Sequence, residues 1–410
     1  MSEIYCLQNK LSKYKIVVDP NCSVNDKNFA NCIRYTVLTR FGCELEIVND
    51  AEESQDCVIL VGRTRNTTVS AAPYSFTVKG EPNKLQFVAN DMLGYEAMYQ
   101  YLVKEFCEKL SADDGITQDF TDTGIYPMSS VDGLETAVKS YGDVRVMIYN
   151  CYGYGGGPGE PEVRQPFQAE MFKTYAPDVI GLQETKPKYL RGINPILEEL
   201  GYTWVDTDAK ETNCTSMYYR ADRVTLLESG YHLFTGPNNS NTKSITWGVF
   251  SHNKTQKLFA VMTTHFMWGD PAYSKEVIAQ TRISNATEYA DVKDMILEKY
   301  PNIPLVGGGD MNCSEEGTPH GVLKDRGLLN AWYEAEHKND FTSHIGYAYY
   351  DPAHQVYTKW NESTDRPHVH SIDHVYVTPN TDVGSCFVLS DLYCRWTSDH
   401  LPTLLDILLK

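Results

Sequence analysis

Apolar residues in this chain come in short runs, most of them too brief for a helix, and the runs fall into two groups separated by a stretch where the pattern fades. In the first group, Lys15-Ile16-Val17-Val18 and Glu44-Leu45-Glu46-Ile47-Val48 predict strands on either side of a helix over 28–41. Val58-Ile59-Leu60-Val61 predicts a short buried strand, and residues 74–78 and 85–88 predict a hairpin turning through Gly80-Glu81-Pro82-Asn83. Tyr95, Met98, Leu102 and Phe106 then recur at helical spacing, so their stripe belongs to one amphipathic helix and its core. From Ser111 to Gly142 turn signals replace periodicity, in Asp113-Asp114-Gly115, Asp122-Thr123-Gly124 and 129–133. The pattern predicts a smaller α/β domain over 1–120, a linker over 121–142 and a second domain over 143–410.

In the second domain each predicted strand ends in polar residues. Residues 144–149 run into Asn150, 179–182 into Gln183-Glu184, and 258–262 into Thr263-Thr264-His265. Residues 303–306 run through glycines into Asp310 and Asn312, a strand over 370–377 carries Asp373, and Asp399-His400 precedes an apolar run over 401–409. Strands separated by one helix or hairpin apiece predict two sheets packed face to face, with side chains from both meeting at one edge.

At 410 residues the chain exceeds the roughly 250–300 at which single cores stop growing, which agrees with two domains. A hydrophobic content of 42% supports packed cores. The formal net charge of −18 disfavours an electrostatic grip on nucleic acid, which rests on clustered Lys and Arg. Carboxylates gathered around a divalent cation would contribute to the same total. The eleven cysteines are odd in number, scattered and without a CxxC pair, so they read as reduced thiols. The first residues lack a basic start and a signal-length apolar stretch, and no transmembrane-length apolar run occurs. The expectation is a cytoplasmic protein, or a secreted one whose export signal has been removed.

All eleven histidines lie at or after His232, which points proton chemistry to the second domain. The residues at the strand ends fit metal-assisted attack on a phosphoester. A hard ion such as Mg²⁺, with Mn²⁺ as a substitute, takes oxygen ligands and only one or two protein carboxylates, a role that suits Glu184. Asp310 and Asn312, two apart on one face of an extended segment, are placed to orient and deprotonate a water. His265, His400 and the Asn150 amide offer donors to charge building on phosphoryl oxygens, and Asp373 is the candidate partner that fixes His400. Taken singly, each has a plainer reading: Glu184 as a surface turn residue, His265 as a structural histidine, Asp310 to Asn312 as an Asx-turn. Six such residues at strand ends of one domain make coincidence the poorer account.

In order, Tyr149-Asn150, Gln183-Glu184, Thr264-His265, Gly309-Asp310-Met311-Asn312, Ser371-Ile372-Asp373-His374-Val375 and Ser398-Asp399-His400-Leu401-Pro402 resemble the motif series of the endonuclease/exonuclease/phosphatase superfamily, over about 143–410. The resemblance implies a four-layer α/β sandwich, two packed mixed sheets flanked by helices, and Mg²⁺-dependent hydrolysis of phosphoesters with Glu184 as principal metal ligand. It implies Asn150 and Asp399 near the metal, and Asp310 and Asn312 at the attacking water and the phosphate. It places His265 and His400 at the phosphate, with His400 paired to Asp373. Apurinic-site nucleases of the superfamily carry an acidic residue two positions after the first asparagine; Tyr152 stands there in this chain, which puts a second metal position in doubt. The glycines of Gly153-Tyr154-Gly155-Gly156-Gly157 have no following GK[ST], which excludes a P-loop and suggests a flexible rim. The first domain, with Gly62-Arg63-Thr64-Arg65-Asn66 after a buried strand, is similar to small α/β accessory domains ahead of carbohydrate-active catalytic domains. Arg63 and Arg65 read as solvated turn residues.

His368, His370 and His374 share a face of the expected strand and invite a zinc reading, but without further ligands at suitable spacing they read as pocket-lining or exposed histidines. Trp247, Trp268, Trp360 and Trp396 fall near the motifs, as cleft wall or as core. The leading expectation is a Mg²⁺-dependent phosphodiesterase or phosphatase acting on a small-molecule, lipid-headgroup or sugar phosphate. One alternative is a nuclease, disfavoured by net charge. Another is a non-catalytic binding protein on the same scaffold, against which the completeness of the polar set argues.

Overall fold

The computed structural model describes residues 4–51, 56–111, 115–126, 138–209, 212–237, 243–340, 342–358 and 368–410. Asp113-Asp114, 129–133 and Trp360 lie outside the described residues, as do residues 127–137 of the expected linker. By contact the chain divides into two units, one formed by 1–130 with 350–358 and the other by 131–349 with 359–410.

In the first unit, β1 (Lys15–Val18), β2 (Ile47–Asn49), β3 (Val58–Val61), β4 (Ser75–Glu81), β5 (Lys84–Ala89) and β6 (Phe120–Ile125) form a sheet in the order β2-β1-β3-β5-β4-β6. Its helix α1 (Val24–Phe41) begins earlier than the apolar pattern indicates, because Ser23 and Asp26 close a reciprocal capping box. The hairpin turn is tighter than expected: β4 runs on to Glu81, leaving Pro82 and Asn83, with Asn83 at φ 65°. Helix α2 (Met92–Tyr101) continues through a π-helical turn at Leu102–Phe106, and Tyr95, Met98, Leu102 and Phe106 all enter the core with Phe29 and Phe87. The small antiparallel pair Tyr350–Asp351 and Val356–Tyr357 belongs to this unit, where Arg34 donates to the His354 carbonyl at 2.8 Å.

The second unit holds two larger sheets. The first contains β7 (Val144–Asn150), β8 (Val179–Gln183), β9 (Tyr202–Trp204), β10 (Met217–Arg220), β16 (His337–Lys338), β18 (Asp382–Val388) and β19 (Thr403–Leu408), ordered β9-β10-β8-β7-β19-β18-β16. The other contains β11 (Val224–Leu233), β12 (Ser244–His252), β13 (Leu258–His265), β14 (Leu305–Asp310), β15 (Leu329–Asn330) and β17 (Asp373–Val377), ordered β11-β12-β13-β14-β17-β15. Val146, Ile148, Val179 and Leu405 of one sheet share a core with Phe259, Val261, Val306 and Val375 of the other. This continuous apolar run in strands buried on both faces is what two stacked sheets require. Outside the second sheet, Met262 and Leu305 pack on Tyr289, Val292 and Ile296 of α5 (Lys275–Lys299). Outside the first lie α3 (Pro161–Tyr175), α4 (Pro187–Glu199) and α6 (Leu392–Thr397), with Tyr149 of β7 bonded to Thr397 of α6 at 3.0 Å. Helices, sheet, sheet, helices make the four-layer sandwich.

Register decides where polar strand ends meet. β7 and β8 are parallel, with Asn150 opposite Gln183, and β13 and β14 are parallel, with His265 opposite Asp310. β17 runs antiparallel to β14 and sets Asp373 opposite Asp310. The strand expected over 370–377 starts at Asp373: His368–His370 form a 3₁₀ turn closed by the Ser371 N–H on the His368 carbonyl. His368 and His370 therefore share no strand face with His374. Among the described residues no helix is long and apolar enough to cross a membrane, and none of the eleven cysteines is in a disulfide.

Candidate active site

Asn150 ends β7, and its amide joins the two sheets: Nδ2 lies 3.1 Å from Glu184 Oε1 and 3.1 Å from Asp310 Oδ2. Glu184, the residue after β8, adopts a left-handed backbone at φ 64°, which few non-glycine residues tolerate and which aims its carboxylate inward. Glu184 Oε2 is buried and has no hydrogen-bond partner among the described residues. A buried carboxylate oxygen left bare is costly, and a cation relieves that cost. The same left-handed bend brings the Glu184 carbonyl against Gly153, where a Cβ would sit 1.8 Å from it. At Gly157 a Cβ would meet the Tyr347 ring at 1.9 Å. Gly153 and Gly157 thus permit close approach to Glu184 and to Tyr347.

Asp310 is the hub. Its Oδ2 lies 3.3 Å from His265 Nε2 and 3.7 Å from His400 Nε2, and its Oδ1 accepts the Asn312 N–H at 2.9 Å. That last bond, with Asn312 at φ 54°, makes the segment an Asx-turn and corrects the extended geometry expected for Asp310 and Asn312. Both side chains still face the site, since Asn312 Nδ2 donates to the Phe266 carbonyl at 3.1 Å beside His265. Burial opposes the charge on Asp310, but His400, His265 and Lys243 outweigh it and hold the carboxyl well below the usual range.

His400 Nδ1 lies 2.7 Å from Asp373 Oδ2, and Asp373 also takes the Ser343 hydroxyl. Burial pulls the His400 imidazolium down; Asp373, Asp399 and Asp310 override it and raise His400 well above the ordinary imidazole value. Asp399 is half-buried, with Oδ1 3.9 Å from His400 Nε2 and Oδ2 3.9 Å from His344 Nε2. Among the described residues, two groups of side chains could therefore hold a cation: Glu184 with His265 and Asp310, and Asp399 with His400 and His344. Every sequence-predicted site residue, namely Asn150, Glu184, His265, Asp310, Asn312, Asp373, Asp399 and His400, belongs to this one cluster.

Two further residues belong to the site and carry no motif. Lys243, just before β12, is buried with its ammonium against His265 Nε2. Burial lowers it to about 8, although Asp310 and Glu184 favour its charge. Arg164 of α3 is fully buried and ties down the loop after β7, donating to the carbonyls of Cys151 at 2.9 Å, Tyr154 at 2.7 Å and Thr397 at 2.7 Å. Trp396 is core, Trp247 is buried and Trp268 is exposed. A cavity of about 640 Å³ beside Glu315, His320 and Tyr376 contains none of the cluster residues.

The model of the endonuclease/exonuclease/phosphatase family matches residues 147–400. No curated protein matches the chain. Among solved structures, an endonuclease/exonuclease/phosphatase from Bacteroides vulgatus is similar at 20% identity and a TM-score of 0.50, covering 65% of this chain and 99% of that one. A mannosyl-6-phosphatase of Bacteroides thetaiotaomicron is similar at 20% identity and TM-score 0.49, covering 65% and 100%. The human Nocturnin catalytic domain with bound sulfate is similar at 18% identity and TM-score 0.47, covering 66% and 96%. The family match spans the polar strand ends from β7 to His400, and the chain belongs to the endonuclease/exonuclease/phosphatase family, hydrolases of phosphoester bonds.

Proposed function

We propose that this enzyme is a Mg²⁺-dependent phosphoesterase acting on a small phosphorylated molecule, a sugar phosphate or lipid headgroup among them, by in-line attack of water. The observation that carries the reading is the Asn150 amide bridging Glu184 and Asp310 while Glu184 Oε2 stays buried and bare. An all-oxygen donor suits a hard divalent ion, with Glu184 as principal ligand and Asn150 and Asp399 beside it. An ion held there would supply Lewis-acid polarisation of a phosphoryl oxygen. Asp310, kept ionised by His400, His265 and Lys243 around it, accepts the proton of the attacking water, and Asn312 fixes that water against phosphorus. His265 and Lys243 donate to phosphoryl oxygens as charge grows on them, while both N–H groups of the Asn150 amide stay on Glu184 and Asp310. His400, kept protonated by Asp373, donates to the same oxygens, and the carboxylate fixes its ring.

A panel of phosphorylated metabolites, lipids and nucleic acids, assayed with and without Mg²⁺, tests the substrate class. Release of phosphate or alcohol from small esters only when Mg²⁺ is present is the expected result; cleavage confined to nucleic acid would make the enzyme a nuclease. His400→Ala and Asp310→Ala each lower kcat by about 10²–10⁴, with far-ultraviolet circular dichroism unchanged. A wild-type rate in either variant removes its assigned role.

A further inference from the structure

The geometry points to a second cation site beside the phosphoryl centre, formed by His344, Asp399 and His400 and suited to Zn²⁺, whose occupancy blocks turnover. One ligand atom from each residue lies within 4.8 Å of the others. His344 Nε2 and Asp399 Oδ2 are 3.9 Å apart, His400 Nε2 and Asp399 Oδ1 are 3.9 Å apart, and the two imidazole rings are separated by 4.8 Å. Tetrahedral zinc with ligands at about 2.0–2.2 Å brings donor atoms to roughly 3.4 Å from one another, so the three close on an ion by moving about 1 Å.

The exposed His344 side chain can supply that movement, while its backbone is anchored. His344 and His400 form an antiparallel bridge, the Ile345 N–H donates to the Asp399 carbonyl at 2.9 Å, and the Leu401 N–H donates to the Ser343 carbonyl at 2.6 Å. Main-chain pairing with the catalytic segment thus holds the His344 ring over Asp399. His400 has the outer partner that metal-binding histidines need: Asp373 on Nδ1 at 2.7 Å leaves Nε2 to face a cation.

Donor chemistry separates the two positions. Bare carboxylate oxygen at Glu184 suits a hard ion, whereas two imidazoles and one carboxylate suit Zn²⁺. When a zinc–Nε2 bond forms, the proton on His400 Nε2 leaves to solvent, and that proton is the one His400 offers to a phosphoryl oxygen. Occupancy therefore inhibits. This inhibitory half rests on the function proposed above, and the binding half does not.

Zinc is titrated into the metal-free full chain against a chromophoric chelator, and Co²⁺ reports ligand type because free thiols compete for zinc. Wild type and Glu184→Gln bind one Zn²⁺ alike, His344→Ala binds it at least tenfold more weakly, and bound Co²⁺ shows d–d bands without thiolate charge transfer. In Mg²⁺-supported turnover, half-inhibition of His344→Ala needs at least tenfold more Zn²⁺. Equal zinc affinity in His344→Ala and wild type, or thiolate absorption, overturns the site. Binding as described without inhibition of turnover overturns the blocking role, and binding as described in a chain that hydrolyses no phosphoester overturns the proposed function instead.

Discussion

Asp373 decides what His400 does at a given pH. Burial favours a neutral imidazole, and the carboxylates of Asp373, Asp399 and Asp310 reverse that preference. A raised folded-state value means that His400 contributes stability below its unfolded value near 6.5 and loses it as pH rises through the folded value. Activity that uses the imidazolium falls over the same alkaline range. In Asp373→Asn the alkaline limb of kcat/KM moves to lower pH by about one unit or more, which a pH–rate profile measures. Lys243 has the opposite sign. Its value falls to about 8 on burial, so the unfolded chain binds the extra proton between about 8 and its ordinary 10.5. Stability of the metal-free protein rises with pH across that window, on the order of 3 kcal/mol. The rise is absent in Lys243→Met, as denaturant midpoints at pH 8 and 10 would record. The motif residues were legible because each ends an apolar run in a chemically useful type. Lys243 was not, because a lysine in Asn241-Thr242-Lys243-Ser244 has the local pattern of a surface turn and only the packing of β12 against β13 buries it.

Strand β14 shows what an element contributes beyond its residues. Three consecutive glycines would weaken an ordinary strand, yet here both flanking strands and α5 approach too closely for side chains. A Cβ at Gly307 would meet the Tyr289 hydroxyl at 1.9 Å, at Gly308 the His374 carbonyl at 2.4 Å, and at Gly309 the Thr264 carbonyl at 1.8 Å. The Gly309 contact is backbone on backbone and cannot relax by a rotamer change. Gly309→Ala parts β13 from β14 at the His265–Asp310 rung, with a stability loss of about 3 kcal/mol and a fall in kcat larger than stability explains; urea unfolding and single-substrate kinetics at low temperature separate the two. The sequence marked these glycines only as a gap between an apolar run and Asp310, since close approach is a property of the neighbours. The same limit misplaced the histidines of 368–374: alternation in His368-Val369-His370-Ser371-Ile372-Asp373 imitates a strand, and the Ser371 N–H bond that closes the 3₁₀ turn leaves no periodic trace.

At the scale of the whole molecule, charge sets the company this enzyme keeps. The two sheets and their shared core were readable from apolar runs, and the polar edge from what ended them. The inclusion of 350–358 in the first unit was not, because those residues carry no boundary signal and only their contacts assign them. Net charge was readable from the outset, and it has a kinetic consequence. A surface at −18 repels an anionic substrate at long range, whereas a basic nuclease attracts its polyanion. At low ionic strength the screening length is about 30 Å, and near 0.15 M it is about 8 Å. Added salt therefore removes repulsion between this enzyme and a small phosphate ester, and kcat/KM rises between about 10 and 150 mM salt while kcat stays level. A protein that grips nucleic acid through phosphate contacts loses affinity over the same interval by counterion release. Initial rates at fixed free Mg²⁺ across that series, with a small ester and with a single-stranded oligonucleotide, give the sign directly. A falling kcat/KM for the small ester would mean that positive charge local to the site outweighs the acidic surface.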